Sequence, residues 1–328
     1  MPFLLLLAFI FNSKGLTECI IKAMIFCFNK LIPSIFPSMI LTSIIAQLLS
    51  KISLNKNSKK LLGMEKRLLS IALPSWISGF LIGPKLLCKS KSFSNQTNNV
   101  ILTTNAGVGF VISLVGITLW NNIGFGIYLY AVQIMTSIAI YNILKKREPI
   151  PLDIDFEQKP FLTIISNSIS QCTHTMLDIC GFTIFFSSIK FSLCSLFRIN
   201  NKSIIYYIIS AILEISDGVL TSSSISNNFV ASFLTGFCIG FGGICIITQT
   251  ISICQSHINI IKFFCAKFFQ GIICGAFSLL YVMLFNINPK EIISTSITYE
   301  TSIISVLINC LFVFLMFNYT KKSILKLI

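Results

Sequence analysis

The sequence contains little charge for its length. Only 11% of its 328 residues are charged, whereas 54% are hydrophobic. A soluble domain carries about 25% charged residues, so this chain lacks the polar surface that a water-soluble fold requires. Apolar runs of about 20 residues, the length that spans a bilayer, recur along the chain. The composition therefore predicts an integral membrane protein whose main partner is the lipid bilayer.

Several signatures of other protein classes are also missing. Segments of strictly alternating polarity, which a membrane β-barrel requires, do not occur. Backbone groups in lipid must be hydrogen-bonded within their own segment, so the apolar runs are predicted to be helices. The sequence has no zinc-protease, P-loop or serine-hydrolase motif, and its 12 cysteines form no CxxC pair. We therefore expect no enzymatic activity, no cofactor and no metal site.

The net charge of +14 does not indicate a nucleic-acid partner. The lysines and arginines form short clusters between apolar runs, as in residues 51–67 and 145–147 and in the last residues of the chain. Such clusters are typical of loops that contact anionic lipid. Basic loops are retained in the cytoplasm, so these clusters are predicted to lie on the cytoplasmic side.

A polar linker divides the chain into two similar halves. It covers residues 148–160 and is predicted to be cytoplasmic. The other predicted regions are a short N-terminal helix with an amphipathic segment (1–30), a first repeat (31–147), a second repeat (161–287), and a C-terminal loop with a transmembrane helix (288–328).

Each predicted repeat contains an apolar segment that is broken by polar or helix-ending residues. Leu68–Cys88 is broken near Gly79, and Ser203–Leu220 is broken near Glu214. Most basic residues lie on the cytoplasmic side when both segments enter and leave the membrane on the same face. The flanking spans then cross in opposite directions. The predicted fold is therefore all-α and polytopic, with two inverted repeats that each contain a broken or re-entrant helix, as in secondary transporters. Val100–Trp120 is predicted to be an unbroken span, and the span beginning at Phe161 is predicted to end near Ile189.

The first broken segment offers a predicted binding site for an anion. Ser78, Gly79 and Gly83 would free backbone N–H groups in the apolar run, and Lys85 would add a full positive charge. An ionisable group within a membrane segment usually has a function. In the alternative interpretation, Lys85 reaches the cytoplasmic interface and the glycines allow close helix packing.

The second broken segment carries two carboxylates. Inserting each of them into the membrane costs about 2.5 kcal/mol or more. We predict that Glu214 couples transport to a proton or sodium ion, whereas Asp217 lies near a turn at the outer interface. Pairing of a carboxylate with Lys85 is a further alternative.

Polar and small residues elsewhere complete the predicted substrate site. They are Thr104 and Asn105 in the first half, and Ser216, Gly242, Gly243 and Gln249 in the second. Hydroxyl and amide groups would orient a substrate, and glycines would break or thin a helix. The alternative roles are interhelical hydrogen bonding and close packing, which the GxxxG pattern of Gly236 and Gly240 also favours.

Five ordered stretches carry a resemblance to a known family. They are Pro33 to Pro37, Ser78–Phe80 with Gly83–Lys85, Thr103–Asn105, Leu213–Ser216, and Phe241–Gly243 through Gln249 and Ser252 into residues 263–275. Together they resemble the YlbJ-type sporulation integral membrane proteins, which carry the nucleoside-recognition or gate domain twice.

This resemblance implies a multi-pass cell-membrane protein of endospore-forming bacteria, related to concentrative nucleoside transporters. It implies transport of dipicolinic acid toward the developing spore, across the outer forespore membrane. We therefore expect a permease for a small anionic substrate, dipicolinate or nucleoside-like, and a homo-oligomer is compatible with the sequence. The alternatives are a non-transporting assembly factor for spore formation and, ranked last, an intramembrane enzyme.

Overall fold

The computed structural model describes residues 13–49, 66–88, 96–144, 160–201, 203–254, 257–285, 287 and 289. Within these ranges the regular structure is entirely helical, and five helices are long and apolar enough to cross a membrane. These five are Lys14–Ile45, Ile123–Leu144, Phe161–Leu196, Asn228–Cys254 and Ile260–Phe285. The protein is thus an all-α polytopic membrane protein, as predicted.

The first half begins with one continuous helical run. It consists of α1 (Ser13–Phe26), a π-helical turn π1 (Cys27–Leu31) and α2 (Ile32–Leu49). The predicted amphipathic segment and the first span are therefore parts of one run, with Pro37 inside α2. The helix predicted before residue 12 and the predicted C-terminal transmembrane helix lie outside the described residues.

The remainder of the first half is built from short helices and one long helix. They are α3 (Lys66–Ser78), α4 (Ile82–Cys88), α5 (Thr97–Thr103), the π-helix π2 (Gly109–Leu119) and α6 (Ile123–Leu144). The first break, between α3 and α4, contains Gly79 at φ +106°, a backbone conformation that favours glycine. The second break, residues 104–107, separates α5 from π2. The prediction of an unbroken span over Val100–Trp120 was therefore wrong.

The second half repeats this order of elements. It contains the long helix α7 (Phe161–Leu196), the short pair α8 (Ile204–Leu213) and α9 (Ile215–Ser222), the pair α10 (Asn228–Phe241) and α11 (Gly243–Cys254), and the long helix α12 (Ile260–Phe285). Each half thus has a long helix, two broken segments and a second long helix. The opposite membrane orientation of the halves stays a prediction.

Helix α7 is longer than the sequence indicated. It runs without interruption through Gly181, where an added Cβ would meet no atom within 4 Å. It ends at Leu196 rather than near Ile189, because the apolar pattern continues past the single charge of Lys190. Lys190 is therefore buried within the helix, whereas the predicted end of the span near Ile189 would place it in the following loop.

In each half, glycine brings the two breaks into backbone contact. A Cβ on Gly79 would lie 3.2 Å from the backbone nitrogen of Gly107. In the second half, a Cβ on Gly243 would lie 3.1 Å from the Cα of Glu214. Side chains at either glycine would push the breaks apart, so these contacts require glycine. The close approach of the two breaks is a common feature of both halves.

Helices α10 and α12 pack closely along small residues. A Cβ on Gly236 would lie 2.5 Å from the carbonyl oxygen of Cys274, and one on Gly240 would lie 2.7 Å from that of Gln270. The GxxxG pattern therefore serves helix packing here, which is one of the two roles that the sequence suggested.

Candidate functional site

A cavity lies among the broken segments of both halves. Its walls come from α2, the Gly79 break, the start of π2, α7, the Glu214 break and α11. It contains about 960 Å³ of space not filled by protein atoms, open solvent included. The cavity thus lies where breaks of both halves contribute side chains and backbone to one space.

The first half contributes a cation and a free hydroxyl to the cavity. Gly79 follows the last residue of α3, and its amide donates to the carbonyl of Ser75 at 2.8 Å. The buried Ser78 hydroxyl next to it has no hydrogen-bond partner. Lys85 on α4 is half-buried in the cavity wall, and no ion pair engages it among the described residues.

The second half contributes a buried carboxylate. Glu214 interrupts the run between α8 and α9 with an extended backbone, φ −149° and ψ 135°. It is the N-cap of α9, because its Oε2 accepts from the backbone nitrogen of Asp217 at 2.7 Å. The side chain is only 3% exposed. A carboxylate that caps a helix inside an apolar segment is thus fixed at the cavity wall.

Gln249 on α11 adds an amide with spare hydrogen-bonding capacity. Its Nε2 donates to the sulfur of Cys245 at 3.2 Å, whereas its Oε1 is buried with no partner. Ser216 also lines the cavity and is buried. A buried polar atom without a partner costs about 1–3 kcal/mol, so Ser78 and Gln249 would gain from a ligand that supplies the missing bonds.

The predicted site residues separate into two groups. Six of them line this cavity: Ser78, Gly79, Lys85, Glu214, Ser216 and Gln249. The cavity lining does not include the other five: Gly83, Thr104, Asn105, Gly242 and Gly243.

The three glycines of the second group do not line the cavity but pack against residues next to the breaks. Gly83 packs against Thr103 and the Ser75 hydroxyl, where a side chain would not fit. Gly242, at φ +82°, ends α10 in the left-handed conformation that is common at helix C-termini. Gly243 contacts the backbone of Glu214, as described above. These glycines thus position the breaks and do not contact the cavity.

Thr104 and Asn105 belong to a buried network that the sequence did not reveal. The ammonium of Lys267 donates to the carbonyl of Thr104 at 2.6 Å and to Oε1 of Gln270 at 2.7 Å. Nε2 of Gln270 donates to Oδ1 of Asn105 at 2.9 Å. Lys267 is completely buried. A lysine within the apolar run of α12 was the signal for this network.

Asp217 is also placed differently from the prediction. Its Oδ2 pairs with the ammonium of Lys190 at 2.6 Å, and the two side chains are 15% and 6% exposed. The same ammonium lies 4.7 Å from the centre of the Tyr206 ring. Asp217 therefore joins α9 to α7 through a largely buried ion pair.

The cavity wall contains further polar residues that the sequence analysis did not identify: Ser38, Thr42, Ser43, Gln171 and Thr175. In the described part of the chain, no group of three or more His, Cys, Asp or Glu side chains could hold a metal ion. The fold and the cavity together define a polytopic helical membrane protein with a mostly apolar cavity, which contains a few polar side chains, between broken helices. No protein-family model matches the chain, and no curated protein or solved structure is significantly similar to it.

Proposed function

We propose that the protein is a secondary permease for a small anionic metabolite and that the cavity is its substrate site. The observation that carries this proposal is the set of unsatisfied groups in the cavity wall. Lys85 has no ion pair within the described chain, and Ser78 Oγ and Gln249 Oε1 have no hydrogen-bond partners.

Lys85 determines the charge of the substrate in this proposal. A cation in a cavity with apolar walls attracts an anion more strongly than the same cation would in water, because the local dielectric constant is lower. The walls are mostly apolar, with residues such as Ile35, Phe80 and Ile246. A small planar molecule with one or two carboxylates would satisfy both the charge and the apolar surface.

Glu214 supplies the coupling group. It faces the same cavity and caps α9, so protonation or cation binding there would alter the α8–α9 break directly. Transport driven by a proton or sodium gradient would use this residue. Gln249 and Ser216 would orient the substrate next to it.

Dipicolinate is the first substrate to test, because the family resemblance implies it and because it is a small aromatic dianion. Nucleosides are the second. Export of dipicolinate across the outer forespore membrane, by a protein in that membrane, is the physiological role that this proposal implies.

The test is uptake of labelled dipicolinate and labelled uridine into proteoliposomes under a proton or a sodium gradient. The wild type is expected to transport dipicolinate, whereas Lys85→Ala and Glu214→Gln lose uptake. Lys22→Ala, which alters an exposed lysine on α1, is the matched control and should behave as the wild type.

The opposite result would favour the alternative function. If folded protein transported neither substrate under either gradient, the permease proposal would fail. A stoichiometric partner trapped by cross-linking in sporulating cells would then point to the assembly factor.

A further inference from the structure

Lys267 on α12 is a completely buried amine, and no acidic side chain pairs with it in the described part of the chain. Its side chain is 0% exposed, and the ion pair of the described residues is formed by Lys190 and Asp217 elsewhere. The two groups that accept from its ammonium, the Thr104 carbonyl and Oε1 of Gln270, are both neutral oxygens. Buried charges are normally paired, so this arrangement needs a physical explanation.

The first of these oxygens, the Thr104 carbonyl, belongs to the break between α5 and π2. Thr104 is the C-cap of α5, at φ −92° and ψ 86°, so its carbonyl lies where this helix ends. The last carbonyls of a helix have no partner within the helix, and they carry the negative end of the helix dipole. A positive charge at this position is therefore favourable, and Lys267 places one 2.6 Å from the carbonyl oxygen.

Neutral side-chain amides form hydrogen bonds with the next two residues of this break, Asn105 and Ala106. The Gln133 side chain of α6 binds both sides of Ala106, accepting from its nitrogen at 3.2 Å and donating to its oxygen at 2.9 Å. Asn105 receives its bond from Gln270 and donates to the Ser137 hydroxyl at 3.1 Å. Lys267 is thus the charged member of a network whose other side chains are amides and a hydroxyl.

This chemistry is that of a site for a monovalent cation. Alkali ions are held by neutral oxygens, often the carbonyls of unwound helices inside membrane proteins. A lysine ammonium is a compact, strongly hydrated point charge with three donors, so it can take the place of such an ion among the same oxygens.

We propose that Lys267 acts as a tethered cation that occupies a monovalent-cation site formed by the Thr104 carbonyl and Gln270 Oε1. The wild-type protein then needs no free cation to hold the break between α5 and π2. Truncation of the side chain leaves these oxygens without a charge and opens a space into which a free alkali ion or a small primary amine fits.

One consequence rests on the proposed transport function. A coupling ion would not bind at the break near Thr104, because the ammonium already fills that site. Coupling would then be left to Glu214 in the other half. The inference about Lys267 itself does not depend on transport, so it is tested on stability alone.

The experiment compares thermal unfolding of purified wild type, Lys267→Ala and Lys267→Met in detergent. Each protein is measured in choline, sodium, potassium and methylammonium chloride at one ionic strength. The wild-type midpoint should be the same in all four salts. Lys267→Ala should have a lower midpoint in choline, and sodium, potassium or methylammonium should raise it in a saturable manner.

Lys267→Met is the matched control, because its side chain fills most of the lysine's space without offering a charge. Its midpoint should lie below that of the wild type, since two buried oxygens lose their donor, and no salt should restore it. If Lys267→Ala does not fold, the methionine variant alone still tests whether the ammonium is needed. A methionine variant as stable as the wild type would show that the ammonium is not needed.

Two other results would overturn the proposal. The first is a folded Lys267→Ala protein whose midpoint is the same in all four salts. The second is a wild type that responds to sodium or potassium as strongly as the alanine variant does. Neither result bears on uptake through the Lys85 cavity, so the permease proposal would stand or fall separately.

Discussion

The two short helix pairs occupy equivalent places in the two halves but differ in charge and in how they are held. The pair α3–α4 presents Lys85 to the cavity, and no ion pair in the described chain restrains that side chain. The pair α8–α9 presents Glu214, and its neighbour Asp217 is bound to Lys190 of the long helix α7. Within the described residues, the charge of Lys85 in the first pair is therefore unpaired, whereas the charge of Asp217 in the second pair is held in an ion pair.

Under the proposed function, this difference suggests different roles for the two halves. The charge of Lys85 is available to a ligand, because nothing in the described structure neutralises it. The Glu214 carboxylate already accepts a backbone hydrogen bond, and the ion pair next to it joins α9 to α7. In the permease that we propose, the first pair would bind the substrate, and the second would couple a local change to a long helix.

The largest expected effect comes from breaking the ion pair of the second half. Removing one partner of a buried pair leaves an uncompensated charge, which costs about 3–5 kcal/mol. Asp217→Asn and Lys190→Met should each lower the thermal unfolding midpoint strongly, as measured with a thiol-reactive dye that labels buried cysteines on unfolding. The double variant Lys190→Met/Asp217→Leu should regain much of the loss, because no charge then remains unpaired. Equal loss in single and double variants would show that the pair does not act as a unit.

The next effect concerns the free charge of the first half. Hydrogen bonds to charged groups contribute about 1.5–3 kcal/mol, which corresponds to roughly 10- to 150-fold in affinity. Lys85→Met should therefore weaken dipicolinate binding by about that factor, as measured by calorimetry, with little change in the unfolding midpoint. A large fall in stability without loss of binding would reverse the roles that we assign to the two pairs.

A smaller effect is expected from the glycines that hold the breaks together. Gly243 has φ +80°, and a Cβ there would lie 3.1 Å from Cα of Glu214. A left-handed backbone costs a non-glycine residue about 1–2 kcal/mol, and the close contact adds to this cost. Gly243→Ala should lower the unfolding midpoint and reduce uptake. Wild-type behaviour of this variant would contradict the close approach of the two breaks.

The smallest effect serves as the control for the glycine comparison. Gly181 lies inside α7, and an added Cβ meets no atom within 4 Å. Alanine is a better helix former than glycine by about 0.8–1 kcal/mol in a helix interior. Gly181→Ala should therefore leave uptake unchanged and raise the unfolding midpoint slightly. A loss of stability would indicate that α7 bends at this position.

The sequence revealed the breaks best where the local chemistry is conspicuous. Gly79 with Pro84, and Glu214 with Asp217, interrupt apolar runs, so the two short helix pairs were predicted at nearly the correct positions. Ser78 and Ser216, which lie next to these breaks, line one cavity, and their role in binding a substrate stays a prediction. Local composition was sufficient because the break itself brings them there.

The sequence was less informative where the partner is distant or the signal is weak. Thr104 was predicted to face a substrate, but it bonds to Lys267, which lies 163 positions away along the chain. A single sequence does not show which side of a break faces the cavity. Lys190 was misplaced for a different reason, since a lone charge near the end of a 36-residue helix looks like the start of a loop.

The contact between Gly79 and Gly107 has a mechanical consequence. Each of these glycines approaches the other's backbone so closely that neither break can straighten or rotate without displacing its neighbour. The two breaks in a half would therefore move together, and the second half has the same arrangement at Glu214 and Gly243. Lys85 and Glu214 line the same cavity, so a ligand that contacts both of them would touch one coupled pair of breaks in each half.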